Sequence, residues 1–517
     1  MTVVFVASEC SPIAKVGGLA DVVGSLPKAL VRLGIDVKIV IPNYGVIDKV
    51  RFREEKVGEF EVFFADKLEK FGVFKTLLPN STSLPAHSGL RPSGRSGSAE
   101  PSGSKRSKTG RQVEVFLIDH SFFSNGIYLD LTATPKSLDE VKRFAFLSIS
   151  ALEFLNQASF KIDIIHSHDW HTALIPTLLK LKFKNAKLGK TATVLTIHNL
   201  GEAYQGVAKG AFLHSLDLEP ESVNLLIRKF KVLKRLNIFA RLNFLEQGIE
   251  TADLLNTVSP QYAQEIKQEE FGGKLTPILQ KRANELYGIL NGIDYETFNP
   301  ETDKNLITNY GINSWPQGKA ENKKALEQRL GLPTGEKILV GMVTRLDEQK
   351  GLELVLEALP ELKNLGVKLA ILGKGSPALE QSFATSCQSN PKDFSCTFQF
   401  DTALANQIYA GADCFLMPSR YEPCGLGQMI AAKYGTIPVV RDVGGLHNTI
   451  EDGVTGFKFG EFSAPALLNA VKRAIESFNN KNLWSKMVET AMRRDFSWDK
   501  SAAEYVKLYR KAIALRK

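Results

Sequence analysis

Apolar, strand-like runs alternate with amphipathic helical stretches through almost the whole chain, and this alternation narrows the fold more than any other feature. In the first half the runs cover 3–7, 37–41, 113–118, 162–167 and 192–197. In the second half they cover 338–343, 367–372, 397–400, 414–417 and 437–440. Between them, Leu19, Val22, Val23, Leu26, Leu30 and Leu33 keep the three- and four-residue spacing of one helical face, and 351–365 does much the same. The pattern predicts an α/β protein built on parallel sheets. The 517 residues exceed what one core supports, since single cores stop growing near about 250–300 residues. The two sets of strands separate near Asn299-Pro300, in a polar stretch that ends near Pro333. The predicted division is therefore an N-terminal domain over 1–298, a second domain over 299–495 and a terminal helical segment over 496–517. Two doubly wound, Rossmann-like domains would face each other across a deep cleft, with ligands beyond the carboxyl ends of the strands.

The stretch 80–110 stands apart. It is rich in Ser, Gly, Pro, Arg and Lys, and it buries too little apolar surface to offset its ordering entropy. It reads as a disordered insertion, either a plain solvated loop or a basic tether. From 81 to 111 the charges sum to +5, out of a net +9 for the whole chain. The basic balance is thus local, and no basic stripe with interleaved aromatics marks a nucleic-acid surface. No apolar run reaches the roughly 18 residues of a membrane helix. No leader-like segment precedes the strand at 3–7, which predicts a cytoplasmic chain without a membrane partner. The cysteines, Cys10, Cys387, Cys396, Cys414 and Cys424, are sparse and odd in number, which argues for a reducing compartment and against a disulfide framework.

Five segments that follow strands carry chemistry. Lys15-Val16-Gly17-Gly18-Leu19-Ala20-Asp21 opens the first helix, where Gly17 and Gly18 allow close backbone approach and free N–H groups attract phosphate. Arg345 and Lys350 place two cations at a strand end, which suits a diphosphate. Glu422, in Ser419-Arg420-Tyr421-Glu422-Pro423-Cys424-Gly425-Leu426-Gly427, sets a carboxylate beside a glycine-rich helix start, positioned for sugar hydroxyls. Val443-Gly444-Gly445-Leu446 repeats the tetrapeptide of the first turn and offers a second phosphate-facing turn. His166-Ser167-His168-Asp169-Trp170-His171 gathers three of the eight histidines. Each has a plainer alternative: a tight strand-to-helix turn, a solvated basic loop, a helix-start charge, or a packed core histidine. The histidines lack an accompanying acidic or cysteine ligand set, which disfavours metal. No GxGxxG follows a strand, no GxSxG elbow or HExxH occurs, and Lys184 stands where a Walker A loop needs glycine.

In this order and spacing the motifs resemble the bacterial glycogen synthase and plant starch synthase family over almost the whole chain. The resemblance also includes Thr196-Ile197-His198-Asn199-Leu200, Asn256-Thr257-Val258-Ser259-Pro260, Gly288-Ile289-Leu290-Asn291-Gly292-Ile293-Asp294 and Phe496-Ser497-Trp498. It implies a GT-B fold, a terminal helix returning to the first domain, and metal-independent, retaining glucosyl transfer without a cofactor. The implied donor is ADP-glucose, and the acceptor is the non-reducing 4-hydroxyl of an α-1,4-glucan. By motif, Lys15, Gly17, Gly18 and Asp21 fall on the donor's phosphate side, and Arg345 and Lys350 hold the diphosphate. His168 and Glu422 position the glucose, and Asp139 matches an active-site aspartate. Asn199, Cys424, Gly425, Leu426, Gly444 and Gly445 complete the implied substrate-binding set. Val443 stands where the family usually has threonine, and Asp442 precedes it. Two other readings remain at this level: a related transferase with another acceptor, and a catalytically weak glucan-binding scaffold. Ile430 counts against the first, because relatives with other acceptors carry a second glutamate there.

Overall fold

A computed structural model of the chain describes residues 1–79, 112–129, 137–209 and 241–516. The expected insertion at 80–110 lies outside the described residues. The chain divides into two compact units, Met1–Asn256 with Ser501–Lys517, and Thr257–Lys500.

In the first unit the strands are β1 (Thr2–Val6), β2 (Asp36–Pro42), β3 (Glu55–Phe64), β4 (Lys67–Leu77), β5 (Glu114–Asp119), β6 (Ile164–His168), β7 (Ala192–Ile197) and β10 (Leu254–Thr257). A short antiparallel pair, β8 (Val207–Lys209) and β9 (Arg241–Asn243), lies apart from them. β7, β6, β1, β2 and β5 run parallel in that order. These are the five strands expected from the sequence. Their near-continuous Val, Ile and Leu content fits burial on both faces. The antiparallel extension β5-β4-β3 was not legible. Its strands carry many charges, as in Glu55-Lys56-Val57-Gly58-Glu59, and only alternate residues such as Val62, Phe64, Phe71 and Val73 are buried.

The helix Gly18–Arg32 follows β1 and buries Leu19, Val22, Val23, Leu26 and Leu30, the face its spacing predicted. Each such side chain contributes about 1.5–3 kcal/mol. The helix Leu138–Gln157 starts at Ser137, whose hydroxyl accepts the Glu140 N–H at 3.1 Å. The terminal helix Trp498–Ala514 joins this unit from Ser501 onward. It is anchored by polar contacts: Tyr509 OH to His166 Nδ1 at 2.9 Å, and Asn256 Nδ2 to Tyr505 OH at 2.9 Å.

The second unit begins at Thr257, ahead of the expected boundary at 298. The segment after Thr257 is bound into it: Ser259 OH donates to Pro423 O at 2.6 Å, and Gln261 N–H donates to Asn448 Oδ1 at 2.9 Å. After β11 (Leu286–Gly288), its sheet contains β12 (Leu339–Val343), β13 (Lys368–Leu372), β14 (Phe394–Thr397), β15 (Cys414–Met417), β16 (Ile437–Arg441) and β17 (Phe457–Phe459). All are parallel, in the order β14-β13-β12-β15-β16-β17. Three residues separate the observed start of β14 from the expected one at 397. Phe394 is buried in the core, whereas Phe400 is 91 % exposed, so the apolar run at 397–400 marks the strand's exit. The cysteines also depart from expectation, because Cys387 and Cys396 form a disulfide that ties the helix Pro377–Ser389 to β14. Cys10, Cys414 and Cys424 are buried and free. Among the described residues no helix is long and apolar enough to cross a membrane.

Candidate active site

In the second unit, a pocket of about 200 Å³ opens at the carboxyl ends of β12 and β15. Arg345, Lys350, Ser419, Glu422, Gly425 and Leu426 are among its lining residues. The chain leaves β12 through Thr344-Arg345 and turns at Gly351, whose φ of +63 suits glycine. An added Cβ there would strike Pro418 O, so the turn is locked against the end of β15. This brings Lys350 Nζ within 2.7 Å of Glu422 Oε2, and the Ser419 hydroxyl donates to the same oxygen at 2.8 Å. Glu422 is 6 % exposed at its side chain and Lys350 15 %, so both charges are largely withdrawn from water and neutralise each other. Arg345 is more open, at 54 %, and is steered by Asp347 at 2.5 Å and Gln349 at 3.0 Å. Gly425, with φ of +72, leads into the helix Gly427–Lys433. Cys424 is buried, and burial pushes its thiol up to about 12, so it remains protonated at neutral pH.

The second glycine turn lies against this loop. Its N–H groups have partners inside the protein. Gly444 N–H donates to both oxygens of Glu265, at 2.9 and 3.1 Å, and Gly445 N–H donates to Glu422 O at 3.0 Å. A Cβ on Gly444 would collide with Glu422 O, and one on Gly445 with the backbone of Cys424. The expectation of phosphate-facing N–H groups at these two glycines therefore meets a different arrangement, in which they clamp the loop that carries Glu422. Val443 is buried in an apolar cluster with Val440, Leu446 and Ile450, which explains a methyl where a hydroxyl was expected. Asp442 is compensated by Lys458 at 2.9 Å, and His447 Nδ1 lies 2.9 Å from the same carboxylate.

In the first unit, the turn after β1 is open. Gly17 has an extended backbone, and a Cβ on Gly18 would meet nothing within 4 Å. Neither positive φ nor close packing among the described residues asks for glycine at these two positions, so the turn has room for close backbone approach from outside. Lys15 Nζ pairs with Asp21 Oδ1 at 2.6 Å, both partly exposed. Glu9, which the sequence analysis passed over, accepts the N–H groups of Val16 and Gly17. Its one signal was a carboxylate just after an apolar strand.

The histidines divide by role. Both ring nitrogens of His166 are engaged, by Tyr509 OH and by Thr196 OH at 2.6 Å. His168 Nδ1 lies 3.0 Å from His198 Nε2, while its Nε2 is buried with no hydrogen-bond partner among the described residues. Burial holds His166 and His168 well below the ordinary histidine range, and His198 down to about 3, so all three are neutral. His198 was the missed member of this group. Asp169, at φ +53, accepts the His198 N–H at 2.6 Å, and burial raises its carboxyl to about 7. Asn199 Oδ1 accepts the Gly201 N–H, which shapes its own turn. Asp139 is exposed in the first turn of the helix Leu138–Gln157, beside the buried Glu140–Arg143 pair at 3.2 Å.

Known proteins resemble this chain over nearly its whole length. Residues 2–281 match the starch synthase catalytic domain family, and residues 322–493 match glycosyl transferases group 1. A glycogen synthase of Fervidobacterium nodosum is 40 % identical over 99 % of both chains. One from Geotalea daltonii is also 40 % identical over 99 % of both. The catalytic domain of starch synthase IV from Arabidopsis thaliana, solved with ADP and acarbose, superposes with a TM-score of 0.84 at 33 % identity, covering 99 % of each chain. Two parallel-sheet, Rossmann-like units with a site at strand carboxyl ends define a glycosyltransferase of the GT-B fold. The chain belongs to the glycogen synthase and starch synthase family, the glucosyltransferases that elongate α-1,4-glucan chains.

Proposed function

We propose that this protein transfers glucose from ADP-glucose to the non-reducing 4-hydroxyl of an α-1,4-glucan, with retention of configuration and without a metal. The observation that carries the reading is the Lys350–Glu422 pair in the pocket that Arg345 also lines. Breaking the anomeric bond leaves charge on the departing diphosphate and an oxocarbenium-like sugar. Arg345 and Lys350 supply fixed positive charge for the first, in a site partly shielded from water. That is also why the reading needs no metal as counter-charge. Glu422 is held by Ser419 and Lys350, so its remaining acceptor capacity is aimed at sugar hydroxyls. When a diphosphate draws on Lys350, Glu422 is freed to bind the glucose. Lys15 and the helix start at Gly18 serve the donor's phosphate side, and Asp21 steers Lys15. The Nε2 of neutral His168, without a partner among the described residues, is a further point for a sugar hydroxyl. Asp139 and Asn199 are assigned to the substrate by their motifs. Among the described residues that line the pocket Glu422 is the one carboxylate, which favours attack on the face from which the leaving group departs, rather than a glycosidase-like double displacement. Support for the ADP form of the donor comes from the starch synthase solved with ADP.

A cytoplasmic location without a nucleic-acid or membrane partner belongs to this reading, although the Cys387–Cys396 disulfide removes the cysteine argument for it. Another acceptor is disfavoured by Ile430, a buried apolar residue at the position of the second glutamate. Release of ADP from ADP-glucose that depends on glycogen and lengthens its chains is the expected result. Faster turnover of UDP-glucose would overturn the donor, and no glycogen-dependent release from either nucleotide sugar would overturn the activity.

A further inference from the structure

The first unit's glycine turn is held by a carboxylate with no role in the account above. Glu9 is 3 % exposed. Its Oε2 accepts the N–H of Val16 at 2.6 Å and of Gly17 at 2.8 Å. The Tyr128 hydroxyl donates to Oε1, and Ser8 Oγ lies 2.9 Å from that phenol oxygen. A buried carboxylate is costly unless hydrogen-bond donors surround it, and here three neutral donors do so. In return, the carboxylate fixes the peptide planes of Val16 and Gly17. With those two N–H groups occupied, the turn presents an incoming anion with the helix start at Gly18 and the Lys15 ammonium. Lys15 is itself turned toward Asp21. Glu9 therefore decides which atoms of the loop face outward.

We propose that Glu9, braced by Tyr128, is a positioning residue for donor binding: it holds the Val16-Gly17 backbone so that Lys15 and Gly18 meet the phosphate side of the nucleotide sugar. The proposal rests on the donor reading above and adds to it a residue that touches neither donor nor acceptor. The two backbone N–H groups that Glu9 holds belong to the loop, so its loss is expected to weaken donor binding more than glucan binding.

The test is steady-state kinetics of Glu9→Gln and Tyr128→Phe with ADP-glucose and glycogen, with the thermal midpoint of each variant measured alongside. Glutamine keeps the shape and one acceptor but loses the charge-assisted bonds. Glu9→Gln is expected to raise the donor KM about tenfold, while the glycogen KM and kcat stay within about twofold and the midpoint is unchanged. Tyr128→Phe is expected to raise the donor KM about threefold. A donor KM within twofold of wild type in Glu9→Gln overturns the proposal, as does an equal rise in both KM values. If Glu9→Gln does not fold, Tyr128→Phe decides alone, and an unchanged donor KM there overturns it. Wild type and Lys350→Ala run in parallel. An inactive wild type would fail the donor reading itself, whereas an active wild type, an impaired Lys350→Ala and a normal Glu9→Gln would fail this proposal only.

Discussion

The tetrapeptide Val-Gly-Gly-Leu occurs twice, at 16–19 and at 443–446, each time after a parallel strand and at the start of a helix. In both copies a buried glutamate from the same unit takes an N–H of the turn: Glu9 in the first, Glu265 in the second. The glycines nevertheless serve different ends. Neither Gly17 nor Gly18 has a positive φ, and a Cβ would meet only Glu9 Oε1 at 3.8 Å at the first and nothing within 4 Å at the second. Gly444 has φ +46, and both Gly444 and Gly445 abut the backbone of Glu422 and Cys424. The second turn is thus glycine for the sake of the loop that carries Glu422, whereas the first has room for a side chain, which fits the donor role proposed for it. An identical motif in an equivalent place does not fix an identical role. What a Cβ would meet separates the two.

The contrast breaks most visibly in the second turn. Gly445→Ala is expected to cost about 2–4 kcal/mol of stability, because its methyl would overlap backbone that cannot rotate away. Urea unfolding of the variant checks this, and a stability loss under about 0.5 kcal/mol would mean that the second turn is as open as the first.

Acid separates the two units as well, since the buried neutral histidines lie in the first. The folded pKa of His198 is depressed to about 3, from an ordinary value near 6.5. Its contribution to stability is fully present above about 6.5 and is lost as pH falls through that value toward 3. The unfolding free energy of wild type relative to His198→Gln is therefore expected to drop by about 2–3 kcal/mol between pH 7.5 and 4.5. Asp169 works in the opposite sense, because its raised pKa favours the folded state below about 4 and that contribution fades as pH rises through 7. Comparing the two proteins at each pH isolates the histidine.

In the pocket itself, Lys350→Ala is expected to lower kcat/KM at least about thirtyfold, near 2 kcal/mol of transition-state binding. It removes the cation that the proposed function assigns to the leaving group and leaves Glu422, among the described residues, with Ser419 as its side-chain partner. Activity close to wild type would detach the pocket from the chemistry.

Much of this was legible in the sequence, for local reasons. The parallel strands announced themselves through runs of Val, Ile and Leu, and Lys15, Arg345, Lys350 and Glu422 each follow a strand at the position where such sheets bind ligands. The hairpin β3–β4 was hidden, because a sheet edge with one solvated face carries charges that dilute its apolar alternation. The exit of β14 was misplaced, because Phe398 and Phe400 read as apolar although Phe400 points into solvent. Glu9, Glu265 and His198 were missed for another reason. A carboxylate that caps a backbone N–H leaves no periodicity, and Glu265 reaches Gly444 across 179 residues. The imidazole pairing of His198 with His168 depends on adjacent strands lying in register, with His168 opposite Thr196.

The most direct test of the contrast between the two turns is Gly18→Ala, measured for thermal midpoint and for ADP affinity by calorimetry. Alanine has room and no backbone strain there, so the midpoint is expected to stay at or slightly above the wild-type value. ADP affinity is expected to fall about fivefold to tenfold, near 1 kcal/mol, because the methyl occupies the space that the ligand approaches. A lowered midpoint with unchanged ADP affinity would contradict the account and would make the first turn, like the second, a matter of internal packing.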